Sequence, residues 1–264
     1  MTNFVMIHGA MHGGWFWQPV QEILVSRGHR VVAPDLAGSG ADRTPLDLVN
    51  LDMISRRIVD VVEAHGAGEP VVLVGHSMGG LIIGEVAERA PDRVLGLVYV
   101  TAALVPPGNS LFQALGRADE PIPFTNRDAS LMRMDEATAL RQFYGKATPQ
   151  YRADRAARRL TPQAIRPLTE PSTVTSQVFG RIHRAFVECL EDQAVPIETQ
   201  RRMQAKLPCD PVFCLEADHS PTFSAEYELA DALISAAEEF EARGPVFDRD
   251  AAADEPHAPD ELVV

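Results

Sequence analysis

Cysteine is scarce in this chain. Its 264 residues include three cysteines, Cys189, Cys209 and Cys214. An odd number cannot pair completely, and their spacing does not match that of a cysteine-ligated metal. The composition therefore excludes a disulfide-rich secreted scaffold. We expect reduced thiols, in or near the core of a cytoplasmic protein.

Basic residues and long apolar runs are also lacking. Lys and Arg number 24 against 37 Asp and Glu, which leaves a formal net charge of −13. A surface of this sign repels phosphate groups, so neither nucleic acid nor an anionic membrane is an expected partner. No apolar run reaches the length of a membrane span, and no basic stretch with an apolar core opens the chain. A first strand near Phe4 is expected to leave no room for a cleaved leader.

What is present is an alternation of short apolar strands with amphipathic helices. Strands are predicted at Phe4–His8, Arg30–Ala33, Val71–Val74, Val94–Val100, Ile182–Leu190 and Val212–Leu215. Helices are predicted at Gln18–Arg27, Leu51–Ala64, Leu81–Ala87 and Tyr227–Ala242. This order predicts an α/β protein with a mostly parallel, doubly wound sheet of about six strands, covered by helices on both faces.

A long interval interrupts the alternation. Residues 105–176 contain prolines at 106, 107, 121 and 123 and helical patterns at Ala129–Phe143 and Gln150–Leu160. The interval is too long for a loop, so we expect a helical lid inserted between two parts of the core, residues 1–104 and 177–243. The acidic, proline-containing residues 244–264 are expected to be a disordered tail.

The most informative motif lies at the end of the third predicted strand. Val71-Val72-Leu73-Val74 runs into Gly75-His76-Ser77-Met78-Gly79, and an apolar helical segment follows. This is G-x-S-x-G in a strand, turn and helix, the setting of a strained turn that exposes a nucleophilic serine. Glycines two residues either side of Ser77 are expected because a β-carbon there would collide with neighbouring backbone. Ser77 is the candidate nucleophile.

A serine nucleophile requires a base and an acid that orients the base. His219 follows the last predicted strand, in the order that such sites show along the chain, and is the candidate base. Asp192 follows the preceding strand and is the candidate acid, with Glu191 as its rival. Asp218 is expected to shape the turn that carries the histidine.

An oxyanion hole requires two backbone N–H groups beside the nucleophile. Met78 directly follows Ser77, and the glycine-rich loop after the first strand offers Ala10 as the second donor. A phosphate-binding loop is the alternative interpretation of His8–Trp15. Its spacing is not G-x-G-x-x-G and it contains no lysine, which disfavours phosphate binding.

Together these residues resemble the α/β-hydrolase superfamily, and in particular its group of plant methylesterases, hydroxynitrile lyases and salicylate-binding esterases with their bacterial relatives. The segments that carry the resemblance are 4–10, 12–15, 33–40, 75–80, 191–196 and 217–221, with 143–145 and 160–163 in the lid. The resemblance implies an α/β-hydrolase fold, a Ser77–His219–Asp192 triad, and Ala10 and Met78 as oxyanion donors.

The same resemblance implies a reaction. The lyase branch has threonine at the position of Gly9 and lysine directly after the catalytic histidine, where this chain has Ser220. Both departures favour hydrolysis of a carboxylic ester through an acyl-enzyme. A lyase, and a ligand-binding protein that retains the hydrolase fold, are the alternatives.

Residues of the lid are expected to choose the substrate. The candidate substrate contacts are Met134, Phe143 and Tyr144, together with Trp15 of the glycine-rich loop His8–Trp15. Apolar residues without an obvious charged clamp favour a small or medium, mainly apolar and neutral ester. No metal and no organic cofactor is implied. The small-molecule ester is the expected partner, and a homodimer is left open.

Overall fold

The computed structural model of the protein describes residues 1–118 and 130–247. The strands of the described chain are β1 Asn3–Ile7, β2 Arg30–Val32, β3 Val71–His76, β4 Val94–Val100, β5 Leu131–Met132, β6 Gln163–Ala164, β7 Arg184–Cys189 and β8 Val212–Leu215. Over these residues one sheet of six strands has the order β2-β1-β3-β4-β7-β8, and every neighbouring pair is parallel. The predicted α/β class and parallel sheet are confirmed.

Helices cover both faces of this sheet. The α-helices of the described residues are α1 Gln18–Ser26, α2 Leu51–Gly66, α3 Gly79–Arg89, α4 Leu111–Ala114, α5 Glu136–Gln142, α6 Gln150–Ala157, α7 Arg166–Thr169, α8 Ile197–Lys206, α9 Pro221–Ser224 and α10 Glu226–Arg243. Successive strand residues point to opposite faces. Val71 and Leu73 therefore join a core with α2 and α3, whereas Val72 and Val74 join a second core with α1 and α10.

The end of α2 differs from the prediction by two residues. The helix was expected to end at Ala64, before Gly66, but it continues through Gly66, and the next residue, Ala67, caps it with a left-handed φ of 50°. At the start of α2, Asn50 accepts a hydrogen bond from the backbone N–H of Met53 at 2.8 Å. A cap of this kind satisfies one of the free N–H groups of the first turn.

The segment between β4 and β7 is less helical than the pattern predicted. The helix expected over Ala129–Phe143 begins only at Glu136, because Asp135 caps its first turn by accepting a hydrogen bond from Thr138 at 2.9 Å. Strand β5 lies before it and pairs antiparallel with β6. Residues 119–129, with two of the predicted prolines, lie outside the described residues, as do residues 248–264 of the predicted tail.

Helix α8 was not predicted at all. Its residues are mostly polar, and only Gln200 and Met203 are buried, so the sequence shows no apolar stripe there. The cysteine prediction was also too simple. Cys189 is buried and Cys209 is half-buried, but Cys214 is exposed on edge strand β8. No helix in the described residues has the length and apolar character required to cross a membrane.

Candidate active site

Ser77 lies at the tip of a tight turn between β3 and α3. Its φ of 53° is left-handed, a strained conformation for a residue with a side chain. A β-carbon on Gly75 would lie 2.7 Å from the carbonyl carbon of Gly79, and one on Gly79 would lie 2.5 Å from the carbonyl oxygen of Ile7. The turn therefore requires glycine at both positions, as the motif indicated.

The structure brings Ser77, His219 and Asp192 together, although they are far apart in the chain. His219 Nε2 lies 3.0 Å from Ser77 Oγ, and His219 Nδ1 lies 2.6 Å from Asp192 Oδ2. A carboxylate can only accept, so Nδ1 carries the ring proton and Nε2 accepts from the serine hydroxyl. This arrangement allows the imidazole to take a proton from Ser77.

Four donors surround the Asp192 carboxylate, which is 3% exposed. Its Oδ2 accepts from His219 and from the hydroxyl of Thr101. Its Oδ1 accepts from the backbone N–H groups of Ala194 and Val195, at 2.7 and 2.8 Å. These bonds supply the partners that a buried carboxylate requires. The rival acid Glu191 has an exposed side chain.

His76 and Asp218 form hydrogen bonds with the backbone of His219 and Ser220. The His76 Nε2–H donates to the carbonyl oxygen of His219 at 2.7 Å, and the His76 ring stacks on Phe16 with centroids 4.2 Å apart. Burial lowers the pKa of His76 well below its ordinary value, so its ring is neutral beside the His219 ring. Asp218 accepts from the Ser220 N–H at 3.0 Å and so shapes the turn, as expected. Sequence reasoning assigned no role to His76 or Thr101.

Ala10 and Met78 line the same cavity as Ser77. Neither N–H donates a backbone hydrogen bond within the described part of the chain. Met78 precedes the first turn of α3, where the helix dipole adds partial positive charge. Free N–H groups of this kind are what an oxyanion hole requires.

Residues between 105 and 176, the predicted lid, contact the loop that contains Ala10. His12 Nδ1–H donates to the Ala10 carbonyl oxygen at 2.8 Å, and His12 Nε2 accepts from the Tyr144 hydroxyl at 2.8 Å. Met11, with a left-handed φ of 65°, donates from its N–H to Gln163 Oε1 at 3.1 Å and accepts from the Thr161 N–H at 2.9 Å. Tyr144, Gln163 and Thr161 thus each form a hydrogen bond with this loop.

A cavity of about 430 Å³ opens over Ser77. Its described lining is mostly apolar: Ala10, Met11, Met78, Ala103, Leu111, Phe112, Leu115, Met132, Met134, Phe143, Leu168, Ala194 and Val195, with Ser77, His219, Arg117 and Gln142 as the polar side chains. Two of the predicted substrate contacts, Met134 and Phe143, are among these lining residues, and their contact with substrate stays a prediction. The ring of Phe143 also stacks on His219, with centroids 5.4 Å apart.

The other two predicted substrate contacts are not among the described lining residues. The Tyr144 side chain is buried, and its hydroxyl donates a hydrogen bond to His12. Trp15 faces a separate groove, where its ring lies beneath the Arg159 guanidinium at 4.4 Å and stacks with Phe223. Contact of either residue with substrate stays a prediction. Arg117, conversely, lines the cavity but was not singled out from the sequence.

The described residues contain no cluster of three His, Cys, Asp or Glu side chains suited to a metal ion.

A sequence model described as the alpha/beta hydrolase family matches residues 4–232. Methylesterase 9 of Arabidopsis thaliana is 29% identical over 258 residues, covering 91% of this chain and 100% of that protein. A pyrethroid hydrolase of Sphingobium wenxiniae is 31% identical over 253 residues, covering 90% of this chain and 88% of that protein. The crystal structure of a polyneuridine aldehyde esterase is similar with a TM-score of 0.80, over 89% of this chain and 98% of that chain, and at 24% identity it shows a shared fold.

Proposed function

Since the chain belongs to the alpha/beta hydrolase family, we propose that it is a serine carboxylesterase that cleaves small or medium, mainly apolar carboxylic esters. The observation that carries the proposal is the hydrogen-bonded series from Ser77 through His219 to Asp192 at the floor of the cavity. The names of the methylesterase and pyrethroid hydrolase relatives support the same class of reaction.

The proposed reaction has two halves. Ser77 Oγ attacks the ester carbonyl carbon and passes its proton to His219 Nε2, and the N–H groups of Ala10 and Met78 stabilise the oxyanion. His219 then gives the proton to the departing alcohol oxygen, which leaves an acyl-enzyme. Water attacks this acyl group with His219 again as base, and release of the acid restores the Ser77 hydroxyl. Asp192 holds the imidazole in its proton-accepting orientation throughout.

Replacement of the nucleophile tests the proposal. Ser77→Ala should lower turnover of nitrophenyl acetate by at least about 10³-fold, because no hydroxyl remains to form the acyl-enzyme. Ser26→Ala is the matched control, since Ser26 is exposed and its hydroxyl only contacts its own helix. A fluorophosphonate probe should label the native protein at Ser77 and fail to label Ser77→Ala. Unchanged turnover in Ser77→Ala would contradict the assignment.

Lyase chemistry is less well supported. A β-carbon on Gly9 would lie 2.8 Å from His76 Nδ1 and 2.9 Å from the β-carbon of Ser77, so a threonine at this position requires neighbouring groups to shift. Release of cyanide from mandelonitrile that depended on Ser77 would favour the lyase over the esterase. A pure binding protein has no need of the complete series of Ser77, His219 and Asp192, and it would not react with the fluorophosphonate.

We extend the proposal to the setting of the reaction. The three cysteines form no disulfide with one another, which supports a reducing, cytoplasmic location. The net charge of −13 supports a small-molecule ester, rather than nucleic acid or a membrane, as the partner. A homodimer stays a prediction, which sedimentation would test.

A further inference from the structure

The lining of the cavity over Ser77 includes one positively charged side chain among the described residues. Apart from Ser77 and His219, the polar side chains among its described lining residues are Arg117 and Gln142. Arg117 follows α4 and is half-buried. Leu115 and Val195, which line the same cavity, are apolar. A cation in an apolar wall loses hydration, and a substrate group of opposite charge would compensate for that loss.

A hydrogen bond to the backbone holds the guanidinium of Arg117 in place. Its Nη2 donates to the carbonyl oxygen of Ala194 at 2.8 Å, and the N–H of Ala194 donates to Asp192 Oδ1 at 2.7 Å. Arg117 is thereby fixed to the same loop that carries the acid of the site. No carboxylate of the described residues lies within ion-pair distance of Arg117.

The chemistry of the guanidinium indicates its ligand. Its planar N–H groups match the two oxygens of a carboxylate, and such charge-assisted hydrogen bonds are strong where water is excluded. Gln142, whose side chain carries an amide, lines the same cavity. The chain carries a net charge of −13, so attraction of an anion has to arise locally, inside the cavity.

We propose that Arg117 binds a carboxylate of the substrate, remote from the ester that Ser77 attacks, so that the protein selects half-esters of dicarboxylic acids. The inference rests on the proposed esterase function and adds a substrate class to it. The apolar walls contact the hydrocarbon chain between the two groups, and the reaction at Ser77 is unchanged.

The test compares monomethyl with dimethyl esters of succinic, glutaric and adipic acid near pH 7. Arg117→Met should lower kcat/KM for the preferred monomethyl ester by about 10-fold or more, the scale of a lost hydrogen bond to a charged group, and change the dimethyl ester less than about 2-fold. Arg117→Lys retains the charge and should recover part of the loss. Glutarate should inhibit the wild-type protein competitively, and neutral glutaramide should inhibit it more weakly.

Arg202→Met is the matched control. Arg202 Nη2 donates to the carbonyl oxygen of Leu115, also at 2.8 Å, but Arg202 is exposed and is not among the described residues that line the cavity. The control removes the same charge and the same kind of bond, and both esters should keep their wild-type rates.

Three results would overturn the inference. Equal losses of kcat/KM on both esters in Arg117→Met would mean that Arg117 only supports the loop that carries Asp192 and Ala194. No loss on either ester, or equal inhibition of the wild-type protein by glutarate and glutaramide, would mean that no carboxylate binds there. The last comparison needs no variant, so it decides the matter even where Arg117→Met fails to fold. Fluorophosphonate labelling of Ser77 with turnover of the dimethyl ester would leave the esterase proposal intact in each case, whereas absence of both would reject it.

Discussion

At the scale of single residues, the site depends on where each polar group finds its partner. Asp192 and Glu191 are adjacent in sequence, yet one carboxylate is buried against His219 and the other is exposed. The difference arises because the N–H groups of Ala194 and Val195 and the hydroxyl of Thr101 all converge on Asp192. A carboxylate with such partners can stay in the interior, and one without them remains in water.

The two carboxylates should therefore differ sharply when they are neutralised. Asp192→Asn should lower kcat for nitrophenyl acetate by about 10³-fold or more, because an amide cannot hold His219 in its proton-accepting tautomer. Glu191→Gln, the matched control, should retain activity within about 2-fold, as exposed substitutions away from a site usually do. Circular dichroism should report a folded protein for both. The opposite order of the two losses would move the acid to Glu191.

At the scale of elements, residues 105–176, the predicted lid, contact the loop that contains Ala10. The contacts are made by Tyr144, Thr161 and Gln163. Tyr144 acts through His12, whose other ring nitrogen binds the Ala10 carbonyl oxygen. A residue fixed at its carbonyl group is restrained in its orientation, so we expect Tyr144 and His12 to help position the proposed oxyanion donor Ala10.

Removal of one hydroxyl tests this coupling. Tyr144→Phe leaves His12 Nε2 without its donor and should lower kcat by about 3- to 10-fold, the scale of one buried hydrogen bond. The loss should appear equally in the affinity for a trifluoromethyl ketone, which forms an oxyanion on Ser77. Tyr151→Phe is the control, because Tyr151 is 70% exposed. A Tyr144→Phe variant that binds the ketone with wild-type affinity would limit the role of Tyr144 to packing of the lid.

At the scale of the whole molecule, several buried histidines link stability to pH. Burial lowers the pKa of His8 to about 4 and that of His12 to about 3, and it lowers the pKa of His76 as well. In the unfolded chain the pKa of each of these rings is about 6.5. Between these values the unfolded state binds protons that the folded state does not, so the free energy of unfolding falls as the pH falls.

We expect this fall to be large enough to measure. From pH 6.5 to pH 5, His8 and His12 should each remove about 2 kcal/mol from the free energy of unfolding. Urea unfolding at the two pH values, with proton uptake followed in weak buffer, would measure it. A free energy of unfolding that stays constant or rises as the pH falls would contradict the assignment of neutral buried rings.

The sequence by itself determined the elements whose cause is local. Strands β4 and β8 begin and end where the apolar runs predicted, and Ser77 occupies the turn that Gly75 and Gly79 permit. Chain order was also sufficient to nominate His219 and Asp192, because parallel strands present their carboxyl ends at one edge of a sheet. These features depend on residues only a few positions apart, or on topology that the alternation of elements already implies.

Only the tertiary structure decided what each site residue contacts. Thr101 meets Asp192 across 91 positions, and Tyr144 meets His12 across 132. Helix α8 is held by two buried side chains, Gln200 and Met203, rather than by a periodic stripe. Arg117 enters the cavity wall because it donates to the Ala194 carbonyl oxygen. Hydrogen bonds of such long sequence separation leave no periodicity in the chain, since each one forms only after the strands and the lid have brought its two partners together.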